Sequence, residues 1–120
     1  MIDLAGFGDR IESTVVGAIE GMPAIGQITA KTLMSGQEML MMELAYAAGA
    51  GSRPHRHDHE SHCYLVSGRI RATVAGESWE MGPGDACMHP TGVVHAMEAI
   101  EDSVVVEIKS PRPDPTRILS

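Results

Sequence analysis

Hydrophobic and polar residues trade places every second position along much of this chain, the spacing of a strand with one buried face. The clearest run is Arg69-Ile70-Arg71-Ala72-Thr73-Val74, which predicts Ile70, Ala72 and Val74 inside and the arginines outside. Upstream, residues 30–34 and 38–46 read as two strands joined at Ser35-Gly36, with Leu40, Met42, Leu44 and Tyr46 on one face of the second. Residues 36–48 also carry a helical alternative, because Met, Leu, Glu and Ala favour helices. Further runs at 63–67, 77–81 and 103–109 are punctuated by Gly68, Ala75-Gly76 and Gly82-Pro83-Gly84-Asp85, each a turn signal. Many short strands with regular turns and no convincing long helix predict an all-β fold, an antiparallel double-sheet barrel of the jelly-roll class.

The two ends read differently from the middle. Residues 1–30 are rich in Gly and Ile without a sustained helical period, and an arm or edge strands are expected there. Residues 31–109 make the barrel, and residues 110–120 a tail, because Pro111, Pro113 and Pro115 cannot continue a central strand. The apolar stretches 11–19 and 22–28 are more than one short barrel is expected to bury. An arm of this kind, laid on a neighbour's sheet edge, predicts a homodimer.

Composition narrows the partners. At 120 residues the chain makes one domain. A formal net charge of -7 and a pI near 5.2 argue against nucleic acid or an anionic membrane, since a phosphate surface is repelled overall. No basic segment precedes an apolar run and no apolar stretch reaches membrane-spanning length, so the expected compartment is the cytoplasm. Cys63 and Cys87 are expected there as free thiols.

The chemistry concentrates in Pro54-His55-Arg56-His57-Asp58-His59-Glu60-Ser61-His62, which holds four of the six histidines. Taken alone, such a run is most often polar surface. On an extended strand, however, His55 and His57 share a face and can aim two imidazoles at one point, and neutral imidazole is the commonest protein metal ligand. His95 arrives from a second strand, after a turn built on Pro90 and Gly92.

The spacings Gly49-(x)5-His55-x-His57-(x)3-Ser61-(x)6-Gly68 and Gly84-(x)5-Pro90-x-Gly92-(x)2-His95 resemble the two sequence motifs of the cupin superfamily. The likeness covers residues 49–98 and resolves residues 36–48 as strand. It implies a small single-domain cupin with His55, His57 and His95 at the family's metal-ligand positions. Where the family places a glutamate, glutamine or histidine, this chain has Ser61, a poor ligand; Ala99 stands in place of a late asparagine. An unbroken strand turns Ser61 to the metal and His62 away, and three arrangements follow for the fourth position: a bare three-histidine face with open positions for water or substrate, a one-residue bulge that rotates His62 inward, or Glu60 swinging in from the loop. Met42, Tyr46, Ser61, Cys63 and His89 are assigned to the substrate pocket, and Arg53 and Arg56 to its mouth. Imidazole suits Fe, Zn, Mn, Ni and Cu alike, so the divalent transition metal is left unspecified.

Two functions fit. In the first, the chain is a metal-dependent enzyme acting on a small oxygenated or carboxylate metabolite; the missing acidic ligand favours dioxygenase-like oxidation, with isomerase, cyclase or lyase chemistry as the alternative. In the second it is a non-catalytic module that binds a small molecule as sensor or carrier.

Overall fold

The computed structural model describes residues 4–120. The larger sheet runs in the order β1 (Thr14–Val15), β4 (Ile28–Ser35), β5 (Leu40–Tyr46), β11 (Ser103–Ser110), β6 (Glu60–Ser67) and β9 (Ala86–His89). A second sheet holds β10 (His95–Ala99), β7 (Ile70–Val74) and β8 (Glu77–Met81), and β2 (Ala18–Ile19) pairs with β3 (Met22–Pro23). Every pairing is antiparallel. This is the all-β jelly-roll barrel that the alternation predicts, and residues 40–46 are strand, not helix.

Alternation decides what is inside. Leu40, Met42, Leu44 and Tyr46 of β5 are all buried, as are Ile70 and Ala72 of β7, while Val74 is half-buried. Arg69 and Arg71 lie outside and reach Glu80 at 2.7 and 3.5 Å. Burying each large aliphatic side chain of this core contributes roughly 1.5–3 kcal/mol relative to leaving it in water. On β11 the same rule turns Ser103, Val105, Glu107 and Lys109 inward, so two of the four inward positions of a central strand carry charge.

The carboxy-terminal residues fold back onto the barrel. Asp114 caps a single helical turn, α1 (Pro115–Ile118), its side chain accepting from the Thr116 N–H at 2.9 Å, and proline sits at the first position where no N–H is required. Ile118 is buried in the core. The two ends meet there: the Glu20 N–H donates to the Ile118 carbonyl at 2.8 Å and the Gly21 N–H to the Ser120 carbonyl at 2.9 Å. Among the described residues no helix is long and apolar enough to cross a membrane.

One loop acts as an extra strand. Residues 49–55 run antiparallel to β10, with Gly49 N–H donating to the Ala99 carbonyl and Ser52 N–H to the Met97 carbonyl. Gly51 lies so close to the Met97 carbonyl that a side chain there would collide with it. The ladder ends where His55 and His95 exchange both backbone hydrogen bonds, at 3.0 and 2.9 Å.

Candidate metal centre

That last ladder step builds the site. A directly paired couple on an antiparallel ladder projects both side chains from one face, and the rings of His55 and His95 lie with centroids 4.3 Å apart. His57, two residues on from His55, shares its face, with centroids 4.8 Å from His55 and 5.1 Å from His95. One ligand nitrogen from each of the three falls within 4.8 Å of the others.

What fixes the ligand nitrogen is the partner of the other one. Nδ1 of His55 is 2.6 Å from the Arg53 carbonyl, Nδ1 of His95 is 3.2 Å from the Val93 carbonyl, and Nδ1 of His57 is 2.6 Å from a Glu20 carboxylate oxygen. As the acceptors in all three contacts are oxygens, each Nδ1 carries the proton and each Nε2 keeps its lone pair. This is the outer-shell pattern that orients metal-binding imidazoles. Burial, first of all, lowers the pKa of His55, His57 and His95, to about 3 for His95, so the rings are neutral and available as donors. The triad is able to hold a metal ion.

Glu20 is a residue that reading the motifs did not find. It occupies the first loop position of the β2–β3 hairpin at φ 49°, a backbone region costly for a side-chain-bearing residue. Its second carboxylate oxygen accepts from the Arg117 guanidinium at 3.0 Å. Both terminal segments thus reach the metal face through one carboxylate.

Across the same cavity stands a closed polar group. The Lys109 ammonium donates to the Ser61 hydroxyl at 2.9 Å and to the Glu107 carboxylate at 2.7 Å, with all three residues buried. Burial alone raises the Glu107 pKa, but Lys109, His89 and His95 outweigh it and hold the carboxyl at about 2. A cavity of about 20 Å3 lies between the walls, lined by the triad, His89, Glu107 and Lys109 among others, and Ile19, Ile118 and Leu119 of the terminal segments also line it. It has room for about one water.

The fourth position expected from sequence is resolved by register. β6 pairs with β11 without a break from Glu60 to Leu65, so Ser61 faces in and His62 faces out; the irregularity comes at residue 66. His62 therefore does not join the triad: its side chain is 62 % exposed and paired with Glu60 at 3.0 Å, and Glu60 is itself on the outer surface. Ser61 is buried beneath Lys109 rather than at the cavity wall. Of the five side chains assigned to the pocket, Met42, Tyr46 and His89 line it, while Ser61 and Cys63 do not. Cys63 sits behind His89, its sulfur 3.7 Å from Nδ1 of that ring. Burial, helped by Glu107, raises the Tyr46 phenol well above its ordinary value. Arg53 and Arg56 are exposed.

His59 continues the inward series of His55 and His57, a signal present in the alternation itself. Its ring is buried and stacked on His57 at 4.4 Å, and neither nitrogen has a hydrogen-bond partner. Burial is the first cause of its lowered pKa, about 4.

Comparison with known proteins follows the same lines. The family model for the cupin domain matches residues 42–108, more than half of the chain. The pectin degradation protein KdgF of Dickeya dadantii is 29% identical over 87 residues, which cover 71% of this chain and 79% of that protein. Among solved structures, KdgF from Halomonas sp. superposes with a TM-score of 0.82 at 25% identity, covering 95% of this chain and 98% of the other. An RmlC-like cupin from Shewanella frigidimarina gives 0.83 at 20% identity, covering 95% and 96%. With its paired motifs, its barrel and this match, the chain belongs to the cupin family.

Proposed function

We propose that this cupin is a metal-dependent enzyme that rearranges a small sugar acid without net oxidation, an isomerase- or lyase-type reaction. One observation carries the reading: a single cavity joins three imidazole donors to a buried ammonium, Lys109. His55, His57 and His95 would hold a divalent transition ion, which supplies Lewis acidity toward a carbonyl or hydroxyl oxygen. Lys109, kept in place by Glu107, offers a fixed cationic donor for a carboxylate or for negative charge that develops on a neighbouring oxygen. Glu107 is too acidic to serve as a base near neutral pH and acts to hold Lys109. The small cavity requires the terminal residues Ile118 and Leu119 to move aside for anything larger than water. Similarity to a pectin degradation protein supports the substrate class, since pectin is a polymer of uronic acid.

Dioxygenase-like oxidation is the second reading, favoured by the one feature that Ser61 leaves three nitrogens and no carboxylate in the ligand set. Incubating protein reconstituted with Fe(II), Mn(II), Ni(II) or Zn(II) with a pectin digest separates the two. Proton NMR should show a uronate converted with no oxygen uptake. Conversion tied to oxygen consumption selects the oxidative reading, and saturable binding with no conversion under any metal sinks both in favour of a sensor or carrier. We also propose a homodimer built on the amino-terminal arm, where Leu4 and Val15 are 91% and 71% exposed; light scattering of the full chain tests it.

A further inference from the structure

We propose that Cys63, Cys87 and His89 form a second metal site, a two-thiolate, one-imidazole set for a soft, thiophilic ion of the Cu(I) or Zn(II) kind, one layer behind the histidine cavity. The ladder between β6 and β9 makes it. Cys63 is the direct cross-strand partner of Cys87, and Ser61 that of His89. Cys87 and His89 are two residues apart and share a face of β9, so Cys63, Cys87 and His89 occupy one patch of a two-strand ribbon.

The spacing fits coordination better than it fits hydrogen bonding. Nε2 of His89 is 3.9 Å from the Cys63 sulfur and 3.8 Å from the Cys87 sulfur. Metal–sulfur and metal–nitrogen bonds of about 2.3 and 2.0–2.1 Å at a tetrahedral angle put sulfur and nitrogen about 3.6 Å apart. The Cys63 sulfur lies as near Nδ1, at 3.7 Å, as Nε2, so the ring must turn to aim one nitrogen at both sulfurs; the three ligand atoms already lie within 4.8 Å of one another. The need for a ligand is on the His89 side. Its ring is buried, and the two sulfurs are its hydrogen-bond partners among the described residues. Thiol sulfur is a weak partner for a buried imidazole. The ring stacks face to face on His95 at 3.8 Å, so one of its faces is already occupied. Cys87 is half-buried, which leaves an approach from outside.

Thiolates select soft ions, whereas the imidazole triad does not discriminate. Binding breaks both S–H bonds, forms two metal–sulfur bonds and one metal–nitrogen bond, and releases two protons to solvent.

Cadmium ion titrated into the reduced, full-length protein should give an ultraviolet thiolate-to-cadmium charge-transfer band that saturates at one equivalent. The band should be lost in Cys63→Ser and in Cys87→Ser and kept in His57→Ala. Zn(II) and Cu(I) should each displace the cadmium, and the tighter competitor identifies the preferred ion. Because Cys63 is in the core and its variant can fail to fold, Cys87→Ser, at a half-buried position, carries the decision, with circular dichroism to verify its fold. No band in the wild type, an undiminished band in folded Cys87→Ser, or a band lost in folded His57→Ala overturns the site.

Discussion

The loop between β2 and β3 and the loop between β7 and β8 have the same backbone, yet only one of them serves the cavity. Each joins directly paired strands through two residues at positive φ: 49° and 77° for Glu20-Gly21, 52° and 83° for Ala75-Gly76. Positive φ at both positions is the requirement of a type I′ turn, which matches the twist of the strands it connects. A residue with a side chain at the first position costs about 1–2 kcal/mol. Ala75 recovers none of this through its exposed methyl group. Glu20 spends it on orienting His57 and, through Arg117, on tying both chain ends to the metal face. Strain thus marks a positioning residue only where its side chain meets the site.

The largest expected effect breaks the comparison at its root. His57→Ala removes one ligand and the partner of Glu20, and metal content measured after reconstitution with Mn(II), an ion the thiolate set does not favour, should fall to near zero. Retention of metal would mean that the Glu20 strain serves some other end.

Acid should act next. The unfolded histidines titrate near 6.5, while burial keeps His55, His57, His59 and His95 neutral in the fold to lower pH, about 4 for His59 and about 3 for His95. Below pH 6.5 the unfolded chain therefore binds more protons than the folded one, and stability falls as pH drops from about 6.5 toward 4. Glu107, lowered from its ordinary value to about 2, adds its loss only below about 4.5. Calorimetry of the metal-free protein should show this fall, and His59→Phe, which removes a buried ring without partners, should make it shallower. A melting temperature flat across that window would mean that the rings are charged in the fold.

Glu20→Asn sharpens the contrast between the hairpins. Asparagine tolerates the left-handed turn but does not reach His57, so metal affinity by calorimetric titration should drop about 10–100-fold. The stability of the metal-free protein should hold or rise. Glu20→Gln should keep part of the affinity through its carbonyl oxygen. An affinity unchanged in both variants would detach Glu20 from the site.

Ala75→Asn should give the smallest change, a gain of about 1 kcal/mol in chemical denaturation with no change in metal affinity. In a His57→Ala background, Glu20→Asn should stabilise the protein by up to a similar amount, because the contact with His57 is gone and only the exposed Arg117 ion pair still opposes it; a double-mutant cycle reads the coupling directly.

What could be read from the chain alone is what depends on neighbours two residues apart. The inward faces of β5 and β7 follow from period-two alternation, as does the shared face of His55 and His57, and the glycine and proline spacings locate His95 on a separate strand. The same alternation extends to His59, whose ring stacks on that of His57. Register across strands is a different matter, because it is set by pairings far apart in sequence. Only the unbroken β6–β11 ladder decides that Ser61 meets Lys109 and that His62 faces solvent, since a one-residue slip would exchange their faces. The contacts of Glu20 with His57 and Arg117 span 37 and 97 residues and form because the two chain ends fold onto the same mouth of the barrel. No local pattern announces them: a charged side chain in a surface turn looks alike whether it ends in water or against an imidazole.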